Sequence, residues 1–413
     1  MSEVLHVPDL CVPRPGSTTL RTVLSAALRR ALQDLRAVLG VHASGPMASD
    51  VAAFARVVGP LARTRPGALA AAVRRTEVGV WLRCLRPGAA QAADPAADSA
   101  ADSAVDPAVG VPSLLATLGL ELARTGELPQ RLRLRAWPPW LSSCAGRLAL
   151  RMPADATGLV LGPGWAAVER PGGEQALALQ PDDAAYVPLR GSEVRLALHD
   201  DNPLAALEAH PDKHGNALDL GGQPVARWCE ALERALATIE RYLPAFRAEI
   251  ELVLQRVVPV GWDAHQHRSA TVQEALGTVY LSLHPNPMTM VEALVHEVSH
   301  NKIAALLELD PVLHDAHVPI HASPVRPDPR PLHGVLLAVH AFLPVAALYA
   351  AMIEAGAPGA EHPDFRRRLA EIVDGNREGT RVLREHARPT AVGRQLLDEI
   401  EALDGGAGPS RVD

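Results

Sequence analysis

From Thr18 to Gly40 the chain reads TTLRTVLSAALRRALQDLRAVLG. Leu and Val recur at i, i+3 and i+4 with Arg and Asp between them, the period of an amphipathic helix. The helical pattern continues to about residue 84. Residues 86 to 112, RPGAAQAADPAADSAADSAVDPAVGVP, offer Ala, Asp, Pro and Ser and little that is large enough to bury. That composition predicts a linker or loop. SLLATLGLELARTG then predicts a short helix. Between about 131 and 198 the period changes. RLRLRAW, GRLALRM, GLVLGPG, WAAVER, QALALQ and EVRLALH are short alternating runs broken by Gly, Pro and Asp. They predict the strands of a small antiparallel sheet.

Residues 203 to 256 turn helical again, through VARWCEALERALATIERYLPAFRAEIELVLQRV. GTVYLSLH, Gly277 to His284, is β-branched and aromatic and predicts a strand. A PNP turn leads into VEALVHEVSHNKIAALLELD, whose start the pattern Thr289-x-x-Glu292 marks as a capping box. A Pro-rich loop over 311 to 331 separates this helix from a second long one, about Leu332 to Glu354, and a charged helical tail follows from Pro363. The fold class is α+β and mostly helical, with a zincin-like strand-then-helix unit and a small antiparallel sheet. Four regions follow: helical (1–85), linker or loop (86–112), sheet (113–200), and a helical metal-binding catalytic region (201–405).

The second long helix is apolar enough to span a bilayer. It contains His340 and Pro344 and has few flanking Lys or Arg, so a buried core helix is the better reading.

Candidate chemistry concentrates in His296-Glu297-Val298-Ser299-His300. Histidines four apart on a helix stand one turn apart on one face, so both imidazoles reach one metal while the glutamate lies beside its open side. A catalytic metal needs a further protein ligand and an open position. The extended form H-E-x-x-H-x-x-G-x-x-H is excluded, because Ile303 and Leu306 stand where its Gly and third His would be. Glu354 is the one downstream glutamate on the next helix, near its end. Ten of the 17 histidines fall between 265 and 340. Of these, His340 lies inside VLLAVHAFLPVAAL, where an unpaired ring is costly, and Pro344 leaves its carbonyl without a donor. That favours His340 as third ligand, with His333, seven residues earlier, as runner-up or as a cosubstrate contact. His314, His317 and His321 fall in the loop.

Composition narrows the partners. The net charge is -7 and the pI about 6.2, so nucleic acid is not expected. Cys11, Cys84, Cys144 and Cys229 form no C-x-x-C pair, and the first residues lack a basic-then-apolar signal, which suits a reducing cytoplasm. In the loop, four prolines from Pro324 to Pro331 stiffen the chain around Arg326 and Arg330. Fixed guanidiniums beside a metal suit a dicarboxylate cosubstrate better than they suit peptide hydrolysis.

HEVSHNKIAALLELDPVL, SPVRPDPRPLHGVLLAVHAFLPVA, GTVYLSLHPNPMTMVEAL and HPDKHGNALDLGG together resemble the HExxH-motif peptide-modifying proteins of biosynthetic clusters for ribosomally made peptides. The resemblance is dense from about 200 to 355 and faint before that. It implies Fe(II)- and 2-oxoglutarate-dependent β-hydroxylation of a side chain in a precursor peptide, with succinate and CO2 released. Carried over by position, His296 and His300 become metal ligands, His340 the third ligand, and Arg326 or Arg330 the cosubstrate clamp. Glu297 has no evident general-base part in that chemistry. Asp212, Lys213, His214 and Asn216 either line the pocket or simply turn the chain.

Two other readings stand beside it. In a zinc metallopeptidase, Glu297 would deprotonate a metal-bound water. A non-catalytic peptide-binding protein would use the metal for structure alone.

Overall fold

The computed structural model describes residues 5–87, 105–205, 209–210, 213–314, 316–317 and 331–406. They form an α+β fold that is 52% helical. Eleven helices occur among the described residues: α1 (Thr19–Val41), α2 (Ala48–Thr64), α3 (Pro66–Val73), α4 (Thr76–Cys84), α5 (Pro107–Arg124), α6 (Val225–Tyr242), α7 (Pro244–Val253), α8 (Pro287–Leu307), α9 (Leu332–Glu354), α10 (Pro363–His386) and α11 (Ala391–Gly406). The strands are β1 (Leu132–Leu134), β2 (Trp140–Ser143), β3 (Leu148–Arg151), β4 (Gly158–Gly162), β5 (Trp165–Arg170), β6 (Gly173–Leu177), β7 (Tyr186–Pro188), β8 (Arg195–Ala197), β9 (Ala209–His210), β10 (Lys213–His214), β11 (Arg256–Trp262), β12 (Ser269–Ala270), β13 (Thr278–Leu283), β14 (Leu313–His314) and β15 (Arg388–Pro389).

Two sheets organise the molecule. One is antiparallel, in the order β1-β4-β5-β6, with α5 packed on it. The other has five strands in the order β12-β13-β11-β8-β7. It is mixed: β11 runs parallel to both β13 and β8, while β12 and β7 are antiparallel edges. Strands from both sides of residue 200 share this sheet, so the sheet region and the metal-binding region have no boundary there. β11 corrects the reading of RVV as the end of a helix. Pro244 restarts the helix as α7, the chain then leaves it at Leu254, and the apolar run RVVPV is a buried central strand.

Two further boundaries move. The linker ends earlier than residue 112, because the Asp106 side chain accepts from Ala108 N (2.8 Å) and Pro107 begins α5. Asp-Pro here is a cap followed by a first-turn proline. Residues 213–224 are not helical. Gly221 and Gly222 both have positive φ (61° and 70°), and a Cβ on Gly221 would lie 2.2 Å from the Trp262 backbone nitrogen. Asp219 bridges to Val260 on β11, and Trp228 Nε1 donates to the Leu220 carbonyl (3.2 Å). The chain after Asn216, which is itself buried, is thus a connection braced on the sheet. Asp212 lies outside the described residues, and Lys213 and His214 form β10.

α9 covers Leu332–Glu354, the span its apolar run predicts, and continues through Pro344. It is long and apolar enough to cross a membrane, but 61% of its most apolar window is buried in the fold. It packs against α8 and α10 in one hydrophobic core, which also takes in Val7, Leu10 and Cys11. Those N-terminal residues are tied down from α11. Glu399 accepts from the backbone N–H groups of Leu10 (2.9 Å), Cys11 (2.9 Å) and Val12 (3.2 Å). A second core joins α2 to α5 with β1, β4, β5 and the outer residues of the mixed sheet.

Where the cores meet, Arg256 on β11 is fully buried. Its guanidinium lies 3.1 Å from Asp200, 3.3 Å from Asp201 and 3.8 Å from Glu77 on α4, and Nε donates to Thr278 Oγ1 (3.0 Å). Glu77 also accepts from Cys144 N (2.7 Å). Burial pushes the Glu77 carboxyl up from 4.5 to about 7, against the opposing pull of Arg256. Between those pH values the folded state holds a proton that the unfolded chain has released. Stability is therefore fully present below 4.5 and falls as pH rises towards 7. Urea titrations across this window are expected to show the decline, and Glu77→Gln should flatten it while keeping the bond to Cys144. An unchanged slope in that variant would exclude Glu77 as the titrating group.

Candidate metal centre

α8 begins earlier than the Thr289-x-x-Glu292 pattern predicts. Asn286 is the cap, its side chain accepting from Met288 N (3.0 Å), and Pro287 opens the first turn. Thr289 is therefore already inside the helix. Glu292 turns instead to Arg368 on α10, which forks onto both its oxygens, while the Tyr349 hydroxyl of α9 donates to Oε2 (3.1 Å). Two links fix α8 to the mixed sheet. Asn301 Oδ1 accepts from Gly277 N (2.7 Å), and its Nδ2 donates to the Thr278 carbonyl (3.2 Å). On the far side of the helix Lys302 is fully buried, with Nζ 2.5 Å from Glu249 and 3.3 Å from the Cys11 carbonyl.

His296 lines a cleft, and His300 stands one turn further along α8 beside it. Their rings are edge-on, 88° apart with centroids at 4.5 Å, and their Nε2 atoms are 3.0 Å apart. Two imidazole nitrogens bound at about 2.0–2.1 Å to one ion, at angles between right and tetrahedral, stand about 2.8–3.4 Å apart. The spacing therefore fits an ion held between them. Burial presses both pKa values down, that of His296 well below 6.5, with His300 and then Arg368 adding to the effect on His296. Both rings are neutral at pH 7, the form a metal requires. Glu297 completes the one group of potential ligand atoms that all lie within 4.8 Å of each other among the described residues. Thr271, just after β12, donates its hydroxyl to Glu297 Oε2 (2.7 Å) and so orients the carboxylate. Phe342 of α9 lies against the His296 ring, centroids 4.6 Å apart.

The remaining predicted residues separate. His340 is fully buried, yet neither ring nitrogen has a hydrogen-bond partner. Burial lowers its pKa well below 6.5, with Lys302 the first of its charged neighbours, and the Leu10 backbone beside it falls outside hydrogen-bond geometry. It is outside the compact group, and Lys302, His300 and His296 are the titratable neighbours acting on its ring. His333 is half-buried, its ring 5.0 Å from that of His317 and its backbone N–H bonded to Ala316. Glu354 is exposed at the end of α9. Neither joins the group. Arg326, Arg330 and His321 lie outside the described residues.

Sequence reasoning gave no role to three further histidines that face the cleft of His296, a cavity of about 380 Å³ lined by His265, His267, Ser269, His284, Glu292, His296 and Arg368 among others. Burial lowers the His267 pKa to about 4, and its Nε2 is buried with no partner. A buried ring nitrogen without a hydrogen bond is costly unless something else occupies it. Glu297 is among the charges acting on this ring. His284 accepts from Asn286 N through Nδ1 (3.0 Å), which leaves Nε2 as its N–H. The available signal was the crowding of histidines after residue 265. Arg368 was also missed, since its helix reads as a charged surface helix.

Fold and site together define an α+β protein whose central helix can hold a metal between two histidines, beside a histidine-lined cleft with an arginine at its wall. The chain matches no known protein family and no curated protein.

Proposed function

We propose that this protein is an Fe(II)- and 2-oxoglutarate-dependent oxygenase that hydroxylates the β-carbon of a side chain in a ribosomally made precursor peptide, in the cytoplasm. The observation that carries the reading is the neutral His296–His300 pair, 3.0 Å apart at Nε2, whose His296 lines a cleft that also holds Arg368. When bound, iron would supply the oxidising chemistry and 2-oxoglutarate its electrons. The chain's own residues bind and orient. His296 and His300 hold the ion, and His340 and His267, each with an unpartnered ring nitrogen, are the described candidates to complete the ligand set. Arg368 offers the guanidinium for a carboxylate, with Arg326 and Arg330 as candidates outside the described residues. Phe342 covers one flank of His296 and keeps water from it. The sequence β13, turn, α8, with a short antiparallel edge strand β12 at the cleft, supports a zincin-like arrangement of the site.

One observation favours a second reading, a zinc metallopeptidase. Glu297 lies in the same compact group, oriented by Thr271, where a general base for a water would stand. Anaerobic titration of Fe(II) and 2-oxoglutarate separates the two. The oxygenase gives a weak visible charge-transfer band, and Arg368→Ala is expected to weaken 2-oxoglutarate binding by about 10–100-fold while sparing Fe(II). Tight zinc binding with no band, and peptide hydrolysis lost in Glu297→Gln, would sink the oxygenase reading.

A further inference from the structure

We propose that the groove between α2 and the open edge of β1 binds an acidic, extended peptide segment that pairs with β1 as an added strand. β1 ends the antiparallel sheet and has a strand partner, β4, on one side only. An unpaired edge is a template for a further strand, and main-chain pairing gives affinity without demanding a fixed sequence. α2 flanks this edge and leaves a cavity of about 380 Å³. Ser49 and Ala53, one turn apart on α2, are small and leave room for a backbone.

The charge of the groove selects the partner. Arg56 comes from α2, and Arg131, Arg133 and Arg135 come from β1 and its flanks, all four exposed. Arg131 and Arg133 pair with Glu169 and Glu174 on the exposed face of the sheet. Among the described residues no acid pairs with Arg56 or Arg135. The single acid of the groove, Asp50, is buried and accepts from the backbone N–H groups of Arg135 (2.8 Å) and Ala136 (3.0 Å). In a chain of net charge -7 this is a local excess of guanidinium, which binds carboxylates with two parallel hydrogen bonds. No aromatic residue lines the groove to stack on bases, which favours a peptide over a nucleic acid. The groove shares no lining residue with the histidine cleft and belongs to the other hydrophobic core. If the peptide-hydroxylase reading is right, it would hold a stretch of the precursor other than the one being modified. The groove itself does not depend on that reading.

Fluorescence anisotropy on the full chain, without iron or 2-oxoglutarate, tests it independently of the metal site. The probe is a short fluorescein-labelled peptide of alternating Glu and Val. It is expected to bind saturably, and Arg56→Glu with Arg135→Glu should weaken it by at least about tenfold. These two side chains make no ion pair among the described residues, and circular dichroism checks that the variant is folded. The same peptide N-methylated at alternate backbone nitrogens should lose binding, because it cannot pair with a strand. The proposal fails if the acidic peptide does not bind or if the double variant binds it equally. It fails too if N-methylation has no effect, or if a Lys–Val peptide or an oligothymidylate binds more tightly.

Discussion

His296→Ala and His300→Ala are each expected to lower metal affinity by at least about 100-fold and to abolish any metal-dependent turnover. Loss of a group that merely orients a ligand already costs about 10–100-fold, so loss of the ligand itself costs more. Isothermal titration and metal analysis of dialysed protein check this. The fold should survive both changes. Each ring lines a cavity, and His296 Nδ1 is buried without a partner, so removing that ring also removes an unpaired polar atom. The thermal midpoint without metal should stay within a few degrees, while the rise on adding metal should vanish. A variant that keeps stoichiometric metal at wild-type affinity would move the site away from α8. His267→Ala under the same titration asks whether the unpartnered ring is the third ligand. If affinity is unchanged, it is not.

Arg256→Met is expected to be the most damaging change away from the cleft, destabilising the fold by about 3–5 kcal/mol in urea unfolding. Replacing one member of a buried ion network leaves the others charged and unmatched, and that stranding cost is the larger part of the loss. Here Asp200 and Glu77 are nearly inaccessible and would lose the cation that opposes their desolvation. The rescue is specific. Adding Asp200→Asn and Glu77→Gln to Arg256→Met should recover much of the stability, because, of the carboxylates around it, only Asp201, which is part exposed and bonded to Ser142, then keeps its charge. If the triple variant is as unstable as the single one, packing rather than charge is what Arg256 contributes.

Much of the metal helix was legible because local rules agree there. H-E-x-x-H sets the two rings on one face, and the apolar stretch 332–354 can only be a long helix. The start of α8 was misplaced because Asn286-Pro287, a cap and a first-turn residue, read as the end of a turn. The strands β11 and β12 were harder. β11 contains a proline and a glycine and follows a helix without a long break, and β12 has only two residues, so neither shows an alternating pattern. Two histidines of the cleft, His265 and His267, come from the connection between them. Their convergence on α8 depends on a parallel pairing of strands, which no local period reveals. His340 is legible only to a point: a polar ring in an apolar helix shows that the ring is buried, not which neighbour it faces.

The bonds from Leu10, Cys11 and Val12 to Glu399 span up to 389 positions of sequence. During synthesis the first of these partners emerges long before the last. Lys302, whose Nζ reaches the Cys11 carbonyl behind α8, appears in between. The back of the metal helix therefore stays unsealed until translation has passed Glu399. A ribosome-bound chain stalled before that residue should expose Leu10 to protease and bind no metal, whereas the α2–α5 half, with its contacts closer in sequence, can already be closed.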